Sequence, residues 1–466
     1  MTDAPSLVAQ ACALAKAGRT ADAAAVIVRL LHEEFGLTAN GLTINSDMYS
    51  LNSLNGTFVA SGEVLFFKFH QEENEGAMAG EYYRARLLDE AGLPVDLPMY
   101  AATEPGRQIL VYRRRTDARF ADVLRALDET APGGRLPGSL SPGAGKTALA
   151  AESALNAQLM QVYARTLHPI TPEQSAAEPI HRLFHQRLVT PGHPGRLGGR
   201  FASFYQDKAF ALPGLRAGWN ELKDLTFVVN GIGYDRTLGQ LFDEAFIRLR
   251  PDRLAGSGGV TAHGDAHNAN VWLEQLSPTP GTSLAAGGQL PEGVGLAANK
   301  VSMSAARLVM FDPAFAGTDI PALLAEVKAT FHNIFAHPWW LYEPAVAASR
   351  YQVVVRQDRR TLYIEHDWHP GAVRLAVLQL KAGEVWQPLL ALLKTRDLLP
   401  SDWRRVVKLA LFLCPTLVMN LRAGAEDGSH NPVSSAIGLA TAVAMGAEPD
   451  KPDVLSAMLD EVTPLG

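Results

Sequence analysis

The spacing of apolar and polar positions divides the beginning of the chain into helical and extended segments. Residues 5–35 are rich in Ala, Leu and Val at helical spacing, which predicts one or two helices that end at Gly36. Residues 41–69 alternate and contain β-branched and aromatic side chains, which predicts a pair of strands, with 63–69 the clearest. A helix over about 75–91 and a strand over 108–112 should follow.

The rest of the chain is predicted to be mainly helical. The apolar segments 372–393 and 401–421 indicate buried helices, and Ser401 with Asp402 forms a suitable N-terminal cap for the second. The apolar run 406–419 is interrupted by Lys408 and Pro415 and is too short to span a bilayer. The pattern therefore predicts no membrane segment.

Composition is that of a large enzyme with more than one structural unit. The chain has 466 residues, more than one hydrophobic core usually supports, and 47% of them are hydrophobic. A net charge of −6 gives no reason to expect nucleic acid or an anionic membrane as a partner. The two cysteines, Cys12 and Cys414, form no disulfide framework, and no signal peptide is evident at the N-terminus. These features predict a cytoplasmic protein.

The most informative stretch is the catalytic-loop candidate 260–273. It places Asp265 and Asn270 five positions apart in a polar loop, immediately before an apolar segment. Phosphoryl transfer uses such a pair, because an Asp can orient an attacking hydroxyl while an Asn holds a magnesium ion. The apolar strand 308–311 ends in Asp312, where a second metal ligand is needed. An alternative is a zinc site or a metal-dependent hydrolase that uses His263, His267 and Asp312.

The motif His263-Gly264-Asp265-x-His267-x-x-Asn270, followed by Asp312, resembles the catalytic loop of the aminoglycoside phosphotransferase family. The resemblance implies an α+β, two-lobed protein-kinase-like fold, with an antiparallel sheet and one packed helix in the small lobe and a mainly helical larger lobe. It implies ATP and Mg²⁺ as cofactors. By resemblance, Asp265 is the catalytic base, His263 braces the loop, and Asn270 and Asp312 are the metal ligands.

The small lobe of such a kinase needs groups that bind the nucleotide. Lys68 ends an apolar strand and is the candidate for the phosphates, with Glu81 on the following helix as its partner. The segment 50–57 contains one glycine, so Asn52, Ser53, Asn55 and Gly56 could donate to phosphate oxygens or could make a hairpin turn. Val111 and Tyr112 are the candidates for the hinge that binds adenine. The basic run 113–115 could contact a phosphate or a carboxylate, but a solvated face is the favoured interpretation.

Two further segments invite other interpretations. Residues 141–147 end like a phosphate-binding P-loop, but Leu140 stands where the pattern requires glycine, so a surface loop is favoured. Asn270 and Asp312 are 42 positions apart, and 277–300 is rich in Gly, Ala, Pro and Ser, which predicts a long inserted loop. By resemblance, Asp319 either supports the metal loop or caps a helix over 320–335, and capping is the favoured interpretation.

Acceptor recognition is expected in the helical lobe. The aromatic clusters 337–343 and 365–370 could stack on a sugar, although tryptophan-anchored loops are the favoured interpretation. The predicted organisation is a helical segment over 1–40, a small lobe over 41–112 and a large lobe over 113–466. The predicted function is an ATP-dependent kinase for a hydroxyl of a sugar, amino sugar, aminoglycoside or amino alcohol. A catalytically inactive nucleotide-binding scaffold is the alternative.

Overall fold

The computed structural model describes residues 6–45, 53–70, 76–129, 143–276, 306–425 and 430–464. In the first three of these ranges, helices precede an antiparallel sheet with strand order β1-β2-β3-β5-β4. The elements are α1 (Leu7–Lys16), α2 (Thr20–Phe35), β1 (Asn40–Ile44), β2 (Ser53–Ala60), β3 (Glu63–His70), α3 (Gly76–Glu90), β4 (Tyr100–Ala102) and β5 (Ile109–Arg113).

The sheet and the N-terminal helices share one hydrophobic core. Ile27 and Leu30 of α2 pack in the same cluster as Phe58, Phe67 and Val111 of the sheet. The helical segment predicted over 1–40 therefore supports the sheet through its described part. A turn with positive φ at Ser61 (52°) and Gly62 (80°) joins β2 to β3. That conformation suits a two-residue hairpin turn. The turn between β2 and β3 therefore follows residues 52–56, for which a hairpin turn was one interpretation of the sequence.

The remaining strands form several small sheets. They are β6 (Ala118–Arg119), β7 (Val189–Thr190), β8 (His193–Leu197), β9 (Ala209–Leu212), β10 (Leu215–Gly218), β11 (Thr226–Val229), β12 (Ile232–Tyr234), β13 (Gly259–Ala262), β14 (Val271–Gln275), β15 (Ala306–Met310), β16 (Gly317–Pro321), β17 (Val353–Asp358) and β18 (Thr361–His366). A four-stranded sheet, β12-β11-β18-β17, was not predicted from the sequence.

Helices make up most of the rest of the described chain. They are α4 (Phe120–Glu129), α5 (Ala144–Thr166), α6 (Pro172–Ala177), α7 (Gly199–Phe204), α8 (Trp219–Leu222), α9 (Leu238–Arg248), α10 (Pro251–Leu254), α11 (Val327–Thr330), α12 (Pro338–Leu341), α13 (Pro344–Arg350), α14 (Ala372–Lys381), α15 (Gln387–Thr395), α16 (Trp403–Val418), α17 (Pro432–Gly446) and α18 (Val454–Glu461). Their apolar faces enclose a second core that contains Trp340 and Trp386, both fully buried.

The helices predicted near 372–393 are present as α14 and α15, joined by a π-helical turn, Ala382–Trp386. Two other local predictions were wrong. Asp402 precedes α16, but its side chain accepts a hydrogen bond from Arg248 and none from the helix N-terminus. Asp319 lies inside β16, and its carboxylate accepts from His168 Nε2 at 2.8 Å. In both cases the carboxylate therefore pairs with a side chain of another segment in place of the helix N-terminus.

Within the described ranges, no helix combines the length and the apolar character that crossing a bilayer requires. The predicted insertion over 277–300 lies outside the described residues. The two strands that flank it, β14 and β15, pair in antiparallel register from Val271 opposite Met310 to Gln275 opposite Ala306.

Candidate active site

The β14–β15 hairpin brings the two predicted metal ligands to the same end of the sheet. Asn270 precedes β14, and Asp312 lies two positions after the last residue of β15. The Phe311 N–H donates to the Asn270 carbonyl at 2.9 Å, which extends the pairing past Val271 and Met310. The antiparallel register therefore explains how residues 42 positions apart in sequence become neighbours.

His263 ties the loop that bears Asp265 to the segment that bears Asp312. Its imidazole is buried, and Nε2 donates to the Phe311 carbonyl at 2.9 Å. The Asp265 N–H donates to His263 Nδ1 at 3.3 Å. Burial lowers the pKa of this imidazole, so the neutral form is favoured, and the two hydrogen bonds fix its tautomer. His263 therefore connects the Asp265 loop to the segment before Asp312 through two hydrogen bonds.

The main chain around Asp265 is fixed by its own loop. Its carbonyl accepts from Asn270 Nδ2 at 3.1 Å and from the His267 N–H at 2.8 Å. Gly264 has φ +75°, and a Cβ there would lie 2.6 Å from the Phe315 carbonyl oxygen. A side chain at residue 264 would thus be strained and obstructed, which accounts for the glycine before Asp265.

The carboxylate of Asp265 is held less tightly than its main chain. Oδ1 is buried and accepts no hydrogen bond from any residue that the structure describes. Lys328 Nζ lies 3.7 Å from this oxygen and His267 Nε2 lies 4.0 Å from it. An oxygen without a donor is suited to accept one from a bound hydroxyl, since a buried acceptor left unpaired costs free energy.

Lys68 reaches this hairpin from the N-terminal sheet. Its Nζ lies 2.8 Å from Asp312 Oδ1, although the two residues are 244 positions apart. Lys68 pairs with Asn55 and Leu110 in the sheet, so its place at the end of β3 is set by two strand registers. Asp312 has φ +58°, an uncommon backbone conformation for a residue with a side chain.

The donor set at the hairpin end fits a magnesium ion. The amide nitrogen of Asn270 is used by the Asp265 carbonyl, so the amide oxygen is the atom that remains for a cation. Asp312 supplies a carboxylate that is 38% exposed. Magnesium prefers such oxygen ligands. Zinc is disfavoured, because both ring nitrogens of His263 are engaged by main-chain groups. The described residues contain no cluster of three or more His, Cys, Asp or Glu suited to a metal.

The other predicted nucleotide-binding residues have varied surroundings. Asn52 lies outside the described residues, and nothing is described of the side chains of Ser53, at the start of β2, or Glu81, in α3. Gly56 lies inside β2, where a Cβ would collide with the Thr43 carbonyl and the Phe67 ring. Close packing between strands is therefore a sufficient reason for the glycine at residue 56.

The predicted hinge residues are part of the sheet. Val111 and Tyr112 are buried in β5, and the Val111 carbonyl accepts from the Met99 N–H at 2.7 Å. Arg115, interpreted as part of a solvated face, instead pairs with Asp96 at 3.0 Å and with Glu274 at 3.0 Å. That interpretation of Arg115 was wrong, because its guanidinium joins three separate segments.

The two aromatic clusters meet in the second core. Trp340 is fully buried and its ring packs edge-to-face on Trp368, with the centroids 5.9 Å apart. The indole N–H of Trp340 donates to the Phe335 carbonyl at 3.2 Å. These tryptophans are therefore packing residues, in agreement with the favoured interpretation of the sequence.

Sequence reasoning missed Lys328 and Arg187. Lys328 lies in α11, is buried, and approaches Asp265 as given above. A signal was available, because the charged residues Glu326 and Lys328 interrupt the mainly apolar start of the run 320–335. Arg187 lies in a short 3₁₀ turn, His185–Leu188, and no local pattern marks it.

Solved structures similar to this chain are described as phosphotransferases or kinases. A spectinomycin phosphotransferase in complex with ADP and spectinomycin has 12% identity and a TM-score of 0.36, covering 90% of this chain and 98% of that one. A macrolide 2′-phosphotransferase has 14% identity and a TM-score of 0.33, covering 85% and 97%. A microcompartment-associated aminopropanol kinase has 11% identity and a TM-score of 0.36, covering 90% and 95%.

No family model and no curated protein matches the sequence. At TM-scores this low, the solved structures do not decide what the chain does.

Proposed function

We propose that this chain is a kinase that transfers the γ-phosphate of ATP, as its magnesium complex, to a hydroxyl of a small molecule. The observation that carries the proposal is the 2.8 Å contact between Lys68 Nζ and Asp312 Oδ1. It joins a cation of the N-terminal sheet to a carboxylate beside the Asp265 loop. Phosphoryl transfer needs a lysine that binds the phosphates close to a carboxylate that binds the metal.

Each residue of the site then has a role. Lys68 binds the phosphates, and Asn270 and Asp312 hold Mg²⁺, which would neutralise phosphate charge when bound. Asp265 orients the acceptor hydroxyl and accepts its proton through the carboxylate, whose Oδ1 has no donor among the described residues. His263 positions Asp265 relative to Asp312 through the two hydrogen bonds described above.

The remaining predicted residues complete the proposal. The sheet with α3 forms a small lobe and the helical part forms a large lobe, so that Asp312 lies where the lobes meet. Glu81 is proposed as the partner of Lys68. Asn52, Ser53 and Gly56 are proposed to contact phosphate, and Val111 and Tyr112 to border the adenine. A reduced cytoplasmic setting suits free Cys12 and Cys414.

The test is ADP production from Mg-ATP and Mg-GTP with sugars, amino sugars, aminoglycosides and amino alcohols as acceptors. Asp265→Asn keeps the shape of the side chain but removes its basicity, and should lower acceptor-dependent turnover by about 10²–10⁴-fold. Asp252→Asn is the matched control, because Asp252, in α10, forms a surface ion pair with Arg250, the residue just before that helix. Equal turnover by the wild type and Asp265→Asn would contradict the assigned role of Asp265.

Binding separates the kinase from the rival functions. A kinase binds Mg-nucleotide and turns over an acceptor, whereas a scaffold binds nucleotide and turns over nothing. Zinc that co-purifies at one equivalent and supports hydrolysis without nucleotide would indicate the metal-dependent hydrolase. A failure of the protein to bind any nucleotide would refute the kinase proposal.

A further inference from the structure

The buried Lys328 ammonium lies beside the Asp265 carboxylate. It is 3.7 Å from Asp265 Oδ1, and its side chain is only 5% exposed. Its one hydrogen bond within the described structure goes to His332 Nε2 at 2.9 Å. An ammonium has three donors, so two remain after this bond is made.

His332 is arranged to accept from Lys328. Burial, with Lys328 next in importance, lowers the pKa of the His332 imidazole well below its usual value, which favours the neutral ring. Nε2 therefore carries no proton, and Nδ1 donates to the Tyr342 hydroxyl oxygen at 3.0 Å. His332 thus orients the lysine without neutralising its charge.

A second cation, Arg187, lies in the same region. Its Nη1 donates to the Leu417 carbonyl at 3.1 Å, and Arg200 Nη1 donates to the same oxygen at 3.0 Å. Arg187 is half-buried, and within the described chain it has no carboxylate at ion-pair distance. Burial and Arg200 lower the pKa of the Arg187 guanidinium to about 10, while Asp265 acts in the opposite direction.

Cys414 connects these groups spatially. It is buried in α16, one turn before Leu417, and burial raises the pKa of its thiol to about 12. The charges of Lys328, Asp265 and Arg187 all act on this one thiol. Cys414 and Leu417, whose carbonyl binds Arg187, thus lie on one stretch of α16 that is within range of the charges of Lys328 and Asp265.

Other carboxylates of the helical part have ion-pair partners elsewhere: Asp128 with Arg374, Glu343 with Arg125, and Glu326 with Lys381, which Glu152 shares. Among the described residues, Asp265 is the carboxylate within 4.0 Å of Lys328, and its charge also acts on Arg187. A region with this charge balance attracts an anion and repels a cation.

We propose that Lys328 and Arg187 bind an anionic group, a carboxylate or a phosphate, on the acceptor whose hydroxyl Asp265 orients. The inference rests on the proposed kinase function and selects hydroxy acids and sugar phosphates over amino sugars and amino alcohols. Donors left on both side chains match the several acceptor oxygens of such groups.

A purely structural role makes a different prediction. Arg187 could serve only to cap the last carbonyls of α16, as basic side chains often do. Lys328 could serve only to hold Asp265. In that case the loss of either side chain would lower stability or turnover by the same factor for every acceptor, whatever its charge.

The experiment compares acceptors that share one carbon skeleton but differ in charge: glucose, glucosamine, gluconate and glucose 6-phosphate. We expect kcat/KM to favour an anionic member by about 10–100-fold, the worth of one hydrogen bond between charged groups. Lys328→Met and Arg187→Met should each lower kcat/KM for the anionic acceptor more than for glucose, and so remove much of that preference. Arg422→Met is the matched control, because Arg422 also donates to a main-chain carbonyl, that of Phe204. The ratio of kcat/KM for gluconate to kcat/KM for glucose 6-phosphate shows whether the preferred anionic group is a carboxylate or a phosphate.

If kcat/KM for glucosamine equals or exceeds that for gluconate and glucose 6-phosphate, the inference is overturned but the proposed kinase function is not. If none of these acceptors is turned over, calorimetry with inorganic phosphate decides. We expect binding by the wild type, at least tenfold weaker binding by the double variant K328M/R187M, and retained binding by R422M. Equal phosphate binding by the double variant, or no binding by the wild type, would overturn the inference. Failure to bind nucleotide, with phosphate binding intact, would refute the proposed function alone.

Discussion

The bracing role of His263 predicts a local effect of its removal. His263→Ala deprives the Phe311 carbonyl of a donor and the Asp265 N–H of an acceptor. An unsatisfied buried group costs about 1–3 kcal/mol, and both partners belong to half-buried residues, so we expect about 2–4 kcal/mol in total. His263→Gln can still donate to Phe311 from its amide nitrogen and should retain about half of that free energy.

Hydrogen–deuterium exchange measures this effect where it occurs. A loss of 2–4 kcal/mol from the local opening free energy corresponds to roughly 30–1,000-fold faster exchange, since about 1.4 kcal/mol is a factor of ten. The acceleration should be confined to peptides within 260–273, including the Asp265 amide, and peptides from β3 serve as the internal control.

Two results would refute this reasoning. Unchanged exchange over 260–273 in His263→Ala would mean that the hydrogen bonds of His263 do not restrain the loop. Equal acceleration in β3 and in 260–273 would mean that His263 supports the whole fold and not the catalytic loop. Wild-type turnover by His263→Ala would separately contradict its positioning role.

Three further predictions follow from the same site. Gly264→Ala forces a side chain at φ +75° towards the Phe315 carbonyl, so we expect a loss of about 1–3 kcal/mol, seen as a lower Tm, and reduced turnover; an unchanged Tm would contradict it. Lys68→Met should weaken binding of Mg-ATP about 10–100-fold by calorimetry, while Lys16→Met, at the end of α1, should not. Burial lowers the pKa of His267 to about 4 and also lowers the pKa values of His263 and His332. These three side chains therefore bind protons more readily in the unfolded chain. Their contribution to stability is therefore complete above about pH 6.5 and is lost as the pH falls towards 4, so thermal unfolding should occur at lower temperature at pH 5 than at pH 7.5; an equal or higher Tm at pH 5 would contradict this sign.

Elements with a simple period could be predicted from the sequence. The strand expected over 63–69 is Glu63–His70, and the helix expected over 75–91 is Gly76–Glu90. Both are defined by neighbouring residues, because apolar runs and stop residues act locally. The β12-β11-β18-β17 sheet was missed. In residues 361–365 of β18, every second side chain is buried and the others are half-buried or exposed. β11 pairs with a strand more than 130 positions later, and such pairing leaves little trace in a single sequence.

The same distinction applies to the site. The roles proposed for Asp265 and Asn270 could be predicted because the motif fixes their spacing, and the β14–β15 register brings Asp312 to the same end of the hairpin as Asn270. Lys328 and Arg187 arrive from separate elements through tertiary packing, so no local spacing relates them to Asp265. Asp319 was misassigned as a cap, because its partner, His168, lies 151 positions away.

The backbone conformation of Asp312 implies that stability and activity favour different residues at this position. A non-glycine residue at φ +58° is held there against its preference, at a cost of the order of 1 kcal/mol or more. Glycine adopts that conformation without penalty, so Asp312→Gly should relieve the backbone while it removes the carboxylate that Lys68 contacts. A screen that selects only for heat resistance would therefore favour the loss of this carboxylate, whereas a screen for turnover would retain the strained aspartate. Position 312 is thus a place where selection for function and selection for stability should give different residues.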